Sequence, residues 1–242
     1  QSPQLWHGRL GHLHSGGTKK LVSCGLLYAD ASGKLPFCDS CAIMSSAAQP
    51  QNCECSRFPV SPLEILSCDI WGPVMVPSIG GHRYVLGVID YNTSLVCLSL
   101  MKSKEETLMS LRSILCELYK YSCFKPKHIR TDNDAVLTSE CFQSEFDFHN
   151  IVLEHSAPYC QWQNGRIERM WRTLSEMATS MLKGSGLERK FWGYAMACAA
   201  CIRNRVWSTT SGDIPCQLLT GTNPDYSSFR VSGCPAYVHI DS

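Results

Sequence analysis

Residues 63–101 read LEILSCDIWGPVMVPSIGGHRYVLGVIDYNTSLVCLSLM. Three apolar runs, Leu63 to Ile70, Arg83 to Asp90 and Leu95 to Met101, are divided by Gly80-Gly81 and by Tyr91-Asn92-Thr93. Short runs of this kind bounded by turn residues predict strands joined by hairpins. Lys104 to Tyr121 then places Leu108, Leu111, Leu115 and Leu118 at helical spacing. Ser103 is its candidate N-cap, with Glu105 and Glu106 suited to the first turn. His128 to Thr131 reads as a fourth strand, Ser139 to Phe148 as a helix and Val152 to His155 as a fifth strand. A loop containing Pro158 leads to helices over about Gly165 to Lys183 and Leu187 to Val206, divided by Gly184-Ser185-Gly186. This order predicts an α/β fold, a mixed five-stranded sheet flanked by helices. On that layout Asp69 ends the first strand, Asp132 follows the fourth and Glu168 opens a helix. The three acids would converge at one edge of the sheet.

Each acid sits in a short signature: Ser67-Cys68-Asp69-Ile70-Trp71-Gly72-Pro73, Arg130-Thr131-Asp132-Asn133 and Gln163-Asn164-Gly165-Arg166-Ile167-Glu168-Arg169. Between Asp132 and Glu168 lie 35 residues. Three carboxylates on separate elements suit two hard divalent cations around a phosphodiester. Such a metal pair, about 3.5–4 Å apart, can stabilise both the attacking and the leaving oxygen. With 21 acidic residues in the chain, spacing alone selects nothing, and three unrelated surface acids are the plainer alternative. The flanking residues carry the specificity.

Upstream, His7-x4-His12 and Cys38-x2-Cys41, 25 residues apart, supply four nitrogen and sulfur ligands for tetrahedral zinc. A small segment with little core of its own draws much of its folding energy from such a metal. Taken singly, His7 or His12 is more often an ordinary helix histidine. His14 competes with His12, and Cys53 with Cys55 forms a second close pair whose Cys-x-Cys bite is poorer. The expected organisation is a zinc-binding module over residues 1–50 around a helical stretch from Gly17 to Leu27, and a polar linker over 51–62. A core over 63–210 and the start of a further segment over 211–242 follow. Both ends look cut from a longer polypeptide, since the chain opens on Gln1 and stops after the strand-like Ala236 to Ile240.

Hydrophobic residues make up 44% and charged residues 18%, a globular composition and not a disordered one. Net charge is +1 from 22 basic and 21 acidic residues, so any nucleic-acid contact must come from local clusters. Arg166, Arg169 and Arg172 recur every three residues on the Glu168 helix and could present a basic stripe to phosphates. The competing reading is a solvated face with Arg169 paired to Glu168 or Glu176. Asn164 orders the loop before the helix or touches DNA, and Gly165 allows a turn or close backbone approach. Trp162 and Tyr159 could stack on a base, although anchoring the loop is the commoner use. The 15 cysteines are scattered, and nothing resembles a secretory signal, which points to reduced thiols in a cytosolic or nuclear setting. The longest apolar stretch, Phe191 to Ile202, is 12 residues, short of the roughly 20 that span a bilayer.

These motifs together resemble the integrase region of copia-type LTR retrotransposon polyproteins, within the retroviral integrase superfamily, over essentially the whole chain. The resemblance rests on Leu5 to His12, Cys38 to Cys41, Asp69 to Pro73, Arg130 to Asn133, Gln163-Asn164-Gly165 with Glu168-Arg169, Arg172-Thr173-Leu174, and Val231 to Val238. It implies a ribonuclease H-like core behind a small helical zinc-binding module. It further implies Asp69, Asp132 and Glu168 as catalytic ligands of Mg²⁺ or Mn²⁺, and His7, His12, Cys38 and Cys41 as zinc ligands. The implied activity is polynucleotidyl transfer without a covalent enzyme intermediate, joining element DNA 3′ ends to target DNA. DNA and further copies of the chain are the implied partners, in the nucleus and the cytoplasmic virus-like particle. His14 breaks the family spacing. The match also departs at Asp134, where the family has glycine, at Gln161 and Trp162, and at Met170-Trp171. Ala42 to Ser46 replaces a basic segment. The rival readings are an inactive or repurposed copy that binds nucleic acid, and a nuclease of the same fold acting on RNA–DNA hybrids.

Overall fold

A computed structural model describes residues 3–27, 37–44, 61–121, 125–132, 136–137, 139–155 and 165–235. The expected linker, apart from residues 61 and 62, lies outside the described residues. So do Asp134, Pro158, Tyr159, Gln161, Trp162, Asn164 and the expected closing strand over 236–240.

The sheet has five strands: β1 (Ile65–Trp71), β2 (Tyr84–Asp90), β3 (Val96–Met101), β4 (His128–Thr131) and β5 (Val152–His155). Their order is β3-β2-β1-β4-β5. The hairpins β1–β2 and β2–β3 are antiparallel, as the turn residues require, while β4 pairs with β1 and β5 with β4 in parallel. The mixed sheet is therefore a meander extended by two crossover strands, each reached through a helix.

Side chains alternate across the strands, and two cores result. Leu66 and Cys68 of β1 and Leu86 and Val88 of β2 join Leu111, Leu115 and Leu118 of α4 (Thr107–Tyr121) and Phe142 and Phe146 of α5 (Glu140–Phe148). Val85 and Ile89 face the other way, into a core with α6 (Gly165–Ser185) and α7 (Trp192–Arg203). On α6 the buried residues Ile167, Met170, Trp171, Leu174, Ala178 and Met181 form one stripe at helical spacing. Asp69 shares the register parity of Trp71, which packs against this second core. The candidate acid thus points to the α6 face.

Two details differ from the sequence reading. Ser103 caps a 3-10 turn at Lys104–Glu106 ahead of α4, and its side chain makes no capping bond. Glu106 accepts the Lys102 N–H instead, at 3.1 Å. The helix expected from Leu187 begins as a 3-10 turn at Arg189–Phe191, and α7 proper spans Trp192–Arg203.

The N-terminal residues form α1 (Pro3–Arg9), α2 (Ser15–Ser23) and α3 (Asp39–Met44). They have almost no core of their own. Trp6, Leu10, Leu21 and Leu27 are buried in the same cluster as Met181, Ala199 and Ile202. At Gly11 a Cβ would stand 3.0 Å from both Ile202 and Met177, so the tip between α1 and α2 is seated directly on α6 and α7.

Gly87 is the narrowest point of the α6 seat. It pairs with Asp69, and a Cβ there would lie 2.5 Å from the Trp171 ring and 2.9 Å from Met170. Gly87→Ala is expected to cost about 1–3 kcal/mol through overpacking. Denaturant unfolding followed by tryptophan fluorescence measures it. Wild-type stability in that variant would mean that α6 does not rest on β2 at this point.

Candidate functional site

In the parallel pairing of β1 with β4, Cys68 stands opposite Thr131. The next residues, Asp69, two positions before the end of β1, and Asp132, just past β4, are therefore neighbours beyond the last pair of that ladder. Ligands of open α/β sheets bind outside such strand ends. The expectation of one sheet edge is corrected here: β1 is the central strand, and the acids meet at the end of the sheet, not along its side. Their proximity has an electrostatic signature. Burial first, then the charges of Asp69 and Asp132, push the Cys68 thiol far above its ordinary range.

Glu168 lies in the first turn of α6 and is exposed. The same helix reaches Asp69 directly: Trp171 donates its indole Nε1–H to Asp69 Oδ2 at 2.8 Å. The other oxygen, Oδ1, accepts the N–H of Ile70 at 2.8 Å. Trp171 is placed by Gly87 and Trp71. It lies over Gly87, stacks on Trp71 at 6.1 Å and 23°, and through Trp71 meets Trp192, whose own Nε1–H binds Val76 O at 2.9 Å. Glu168 and Trp171 are three residues apart, hence neighbours on one helix face. The sequence marks Trp171 only as a departure from the family pattern. Its position one turn beyond Glu168 was the available signal.

Among the described residues the three carboxylates do not close into a group around a single point, whereas the histidines and cysteines do. His7, His12, Cys38 and Cys41 offer four ligand atoms all within 4.8 Å of one another. His12 Nδ1 stands 3.2 Å from His7 Nε2, 3.2 Å from Cys38 Sγ and 3.6 Å from Cys41 Sγ; Cys41 Sγ is 3.4 Å from His7 Nε2. A zinc tetrahedron with Zn–N about 2.0–2.1 Å and Zn–S about 2.3 Å has edges of roughly 3.3–3.8 Å. The group fits zinc.

Local backbone explains this convergence. Gly11 and His12 both adopt positive φ, at 60° and 65°, which folds His12 back over α1 towards His7. His7 Nδ1 lies 2.8 Å from Leu13 O. A carbonyl can only accept, so Nδ1 carries the proton and Nε2 keeps its lone pair for a metal. Burial, then His7, holds His12 below the ordinary imidazole range. Burial and the neighbouring Cys38 push the Cys41 thiol up to about 11. A bound metal must displace that proton. His14, the competing ligand, lies outside the group and occupies the N-cap position of α2. Cys53 and Cys55 lie outside the described residues.

The arginine stripe divides. Arg166 turns inward, donating from Nη1 to Tyr91 O and from Nη2 to Ser94 Oγ at 3.0 Å, with its guanidinium 4.9 Å over the Tyr91 ring. Arg203 joins it through Ser94 O at 2.9 Å, and burial, then the Arg166 charge, lowers its pKa. Arg166 therefore ties the start of α6 to the β2–β3 turn, and the expected stripe is reduced to the exposed Arg169 and Arg172. Gly165 has no positive φ. Among the described residues, a Cβ there would face the Arg169 head at 3.3 Å.

No helix among the described residues is long and apolar enough to cross a membrane. Residues 1–44 match the GAG-pre-integrase domain family. Over 99% of its length the chain is 30% identical to the retrovirus-related Pol polyprotein from transposon TNT 1-94 of Nicotiana tabacum, of which it spans 18%. It is 27% identical over 96% of its length to the corresponding polyprotein from transposon RE1 of Arabidopsis thaliana, of which it spans 16%. The chain thus covers less than a fifth of either relative. Among solved structures, the catalytic core domain of HTLV-2 integrase in complex with magnesium, in its trimeric form, superimposes with a TM-score of 0.52 at 20% identity. That match covers 66% of this chain and 98% of the core. The dimeric form gives 0.51 at 19% identity, covering 67% and 99%. These likenesses place the chain among the integrase-like regions of copia-type retrotransposon Pol polyproteins, with a pre-integrase module ahead of a core of the retroviral integrase fold.

Proposed function

We propose that this region is a metal-dependent polynucleotidyl transferase that joins the 3′ ends of element DNA to target DNA. The observation that carries the reading is the alignment of Asp69 and Asp132 on adjacent parallel strands, with α6, which carries Glu168 in its first turn, tied to Asp69 through Trp171. The donor set is all oxygen, which fits hard cations such as Mg²⁺ or Mn²⁺. Each Asp69 oxygen accepts one N–H, which orients the carboxylate. When bound, a cation pair supplies activation of a hydroxyl nucleophile and charge stabilisation at the leaving oxygen. The protein's part is to hold Asp69 and Asp132 in register and to present Glu168 from a helix anchored by Arg166. Arg169 and Arg172 would meet phosphates beside the carboxylates, and Asn164 immediately precedes their helix in the chain.

Magnesium in the HTLV-2 core complexes supports the choice of ion, and their dimeric and trimeric forms support self-association, since two DNA ends must be held together. Zinc on His7, His12, Cys38 and Cys41 would lock the pre-integrase module onto α6 and α7. A nuclear site of action, with packaging in a cytoplasmic particle, follows from this reading.

The test is strand transfer by the zinc-loaded chain with Mg²⁺ or Mn²⁺, a 3′-recessed element-end duplex and a plasmid target. Joined products are expected. One observation favours a second reading, a DNA-binding relative without catalysis: the three carboxylates are not gathered around one point, as the zinc ligands are. Duplex binding without joining, from folded and zinc-replete protein, would establish that reading over the first.

A further inference from the structure

We propose that Trp171 is a positioning residue for Asp69, setting through its indole N–H the carboxylate orientation in which Asp69 takes up a divalent cation. This inference rests on the reading of Asp69 as a metal ligand.

The indole is held on two sides before it reaches the acid. Its benzo edge lies over Gly87, the β2 residue directly paired with Asp69, where no side chain larger than hydrogen fits. Its face stacks on Trp71, two residues along β1 from Asp69 and therefore on the same side of the strand. Trp71 in turn meets Trp192, which is tied by its own N–H to Val76 O in the β1–β2 connection. Trp171 is 7% exposed, so its donor has little access to water. The only polar group of this side chain is aimed at Oδ2 at 2.8 Å, while the Ile70 N–H holds Oδ1. Each oxygen of Asp69 thus accepts an N–H, and the indole bond is the one that depends on a side chain. A partner that orients a ligating carboxylate typically changes metal affinity about 10–100-fold when removed.

Mn²⁺ titration of the zinc-loaded chain, read by electron paramagnetic resonance of the free ion, tests this without reference to activity. Trp171→Phe keeps an aromatic ring on Trp71 but loses the donor, and is expected to weaken Mn²⁺ binding about 10–100-fold. Trp171→Gln, which restores an N–H donor without the ring, is expected to recover much of that loss. Unchanged affinity in the Phe variant overturns the proposal, and so does equal weakening in Phe and Gln, which would assign Trp171 to packing alone. Asp69→Asn is titrated in parallel. If it leaves Mn²⁺ binding intact, the reading of Asp69 as a ligand fails; if it weakens binding while Trp171→Phe does not, only the positioning role fails. Should the Phe variant not fold, the indole N–H resonances of the otherwise unaltered protein serve instead. One of the six tryptophans is expected to shift on Asp69→Asn and on adding Mg²⁺. No indole shift in either experiment overturns the proposal.

Discussion

Asp132→Asn is expected to abolish DNA joining while leaving the fold and duplex binding in place. Asp132 follows the last paired residue of β4, so its side chain contributes nothing to the ladder that Cys68 and Thr131 close. Asparagine keeps the shape and one acceptor oxygen but removes the charge that a hard cation requires. If the cation supplies several kcal/mol of charge stabilisation in the transition state, its loss slows joining by about 10³-fold or more. The same change removes a like charge from beside Asp69. Without divalent metal, the variant is therefore expected to melt at the wild-type temperature or slightly above it. Joining assays and thermal unfolding on one preparation check both halves. A variant that joins DNA at the wild-type rate would remove Asp132 from the site.

Loss of zinc is expected to have the largest effect on stability. Cys41→Ser, or treatment with a strong chelator, breaks the group that holds α1, the α1–α2 turn and α3 together. Structural zinc sites contribute folding free energy on the scale of about 10 kcal/mol in isolated peptides, and a domain's whole stability is about 5–15 kcal/mol. Because Trp6, Leu10, Leu21 and Leu27 belong to the core of α6 and α7, the damage spreads beyond the module. A net loss of several kcal/mol lowers the melting temperature by about 10 °C or more, at roughly 2–4 °C per kcal/mol for a chain of this size. Residues 3–27 are expected to lose hydrogen-exchange protection first. Undiminished protection after complete zinc removal would show that the shared apolar core alone holds the module.

Much of the fold was legible because local chemistry dictates it. The apolar run Tyr84–Asp90 and the turn residues at 80–81 and 91–93 specify antiparallel hairpins before any tertiary contact is considered. The parallel pairing of β4 with β1 has no such local cause. It places Asp132 beside Asp69 across a helical crossover, which is why the acids were expected at a sheet edge and are found at its carboxyl end. The grouping of His7, His12, Cys38 and Cys41 was readable from spacing, but the consecutive positive φ values at Gly11 and His12 that gather them were not. Arg166 repeats with Arg169 and Arg172 in sequence, yet its helix start abuts the β2–β3 turn and draws it inward. Trp171 and Gly87 gain their meaning only from each other: a missing side chain on one strand makes room for a large one on a helix 84 positions later.

The most direct test of the whole account is anomalous scattering at the manganese edge from crystals of the zinc-loaded chain soaked in Mn²⁺. A manganese peak is predicted between the Asp69 and Asp132 carboxylates, with Glu168 turned towards it, and Asp132→Asn crystals are predicted to lack that peak. Manganese absent from those carboxylates at saturating concentration, with zinc present at His7, His12, Cys38 and Cys41, would contradict the account.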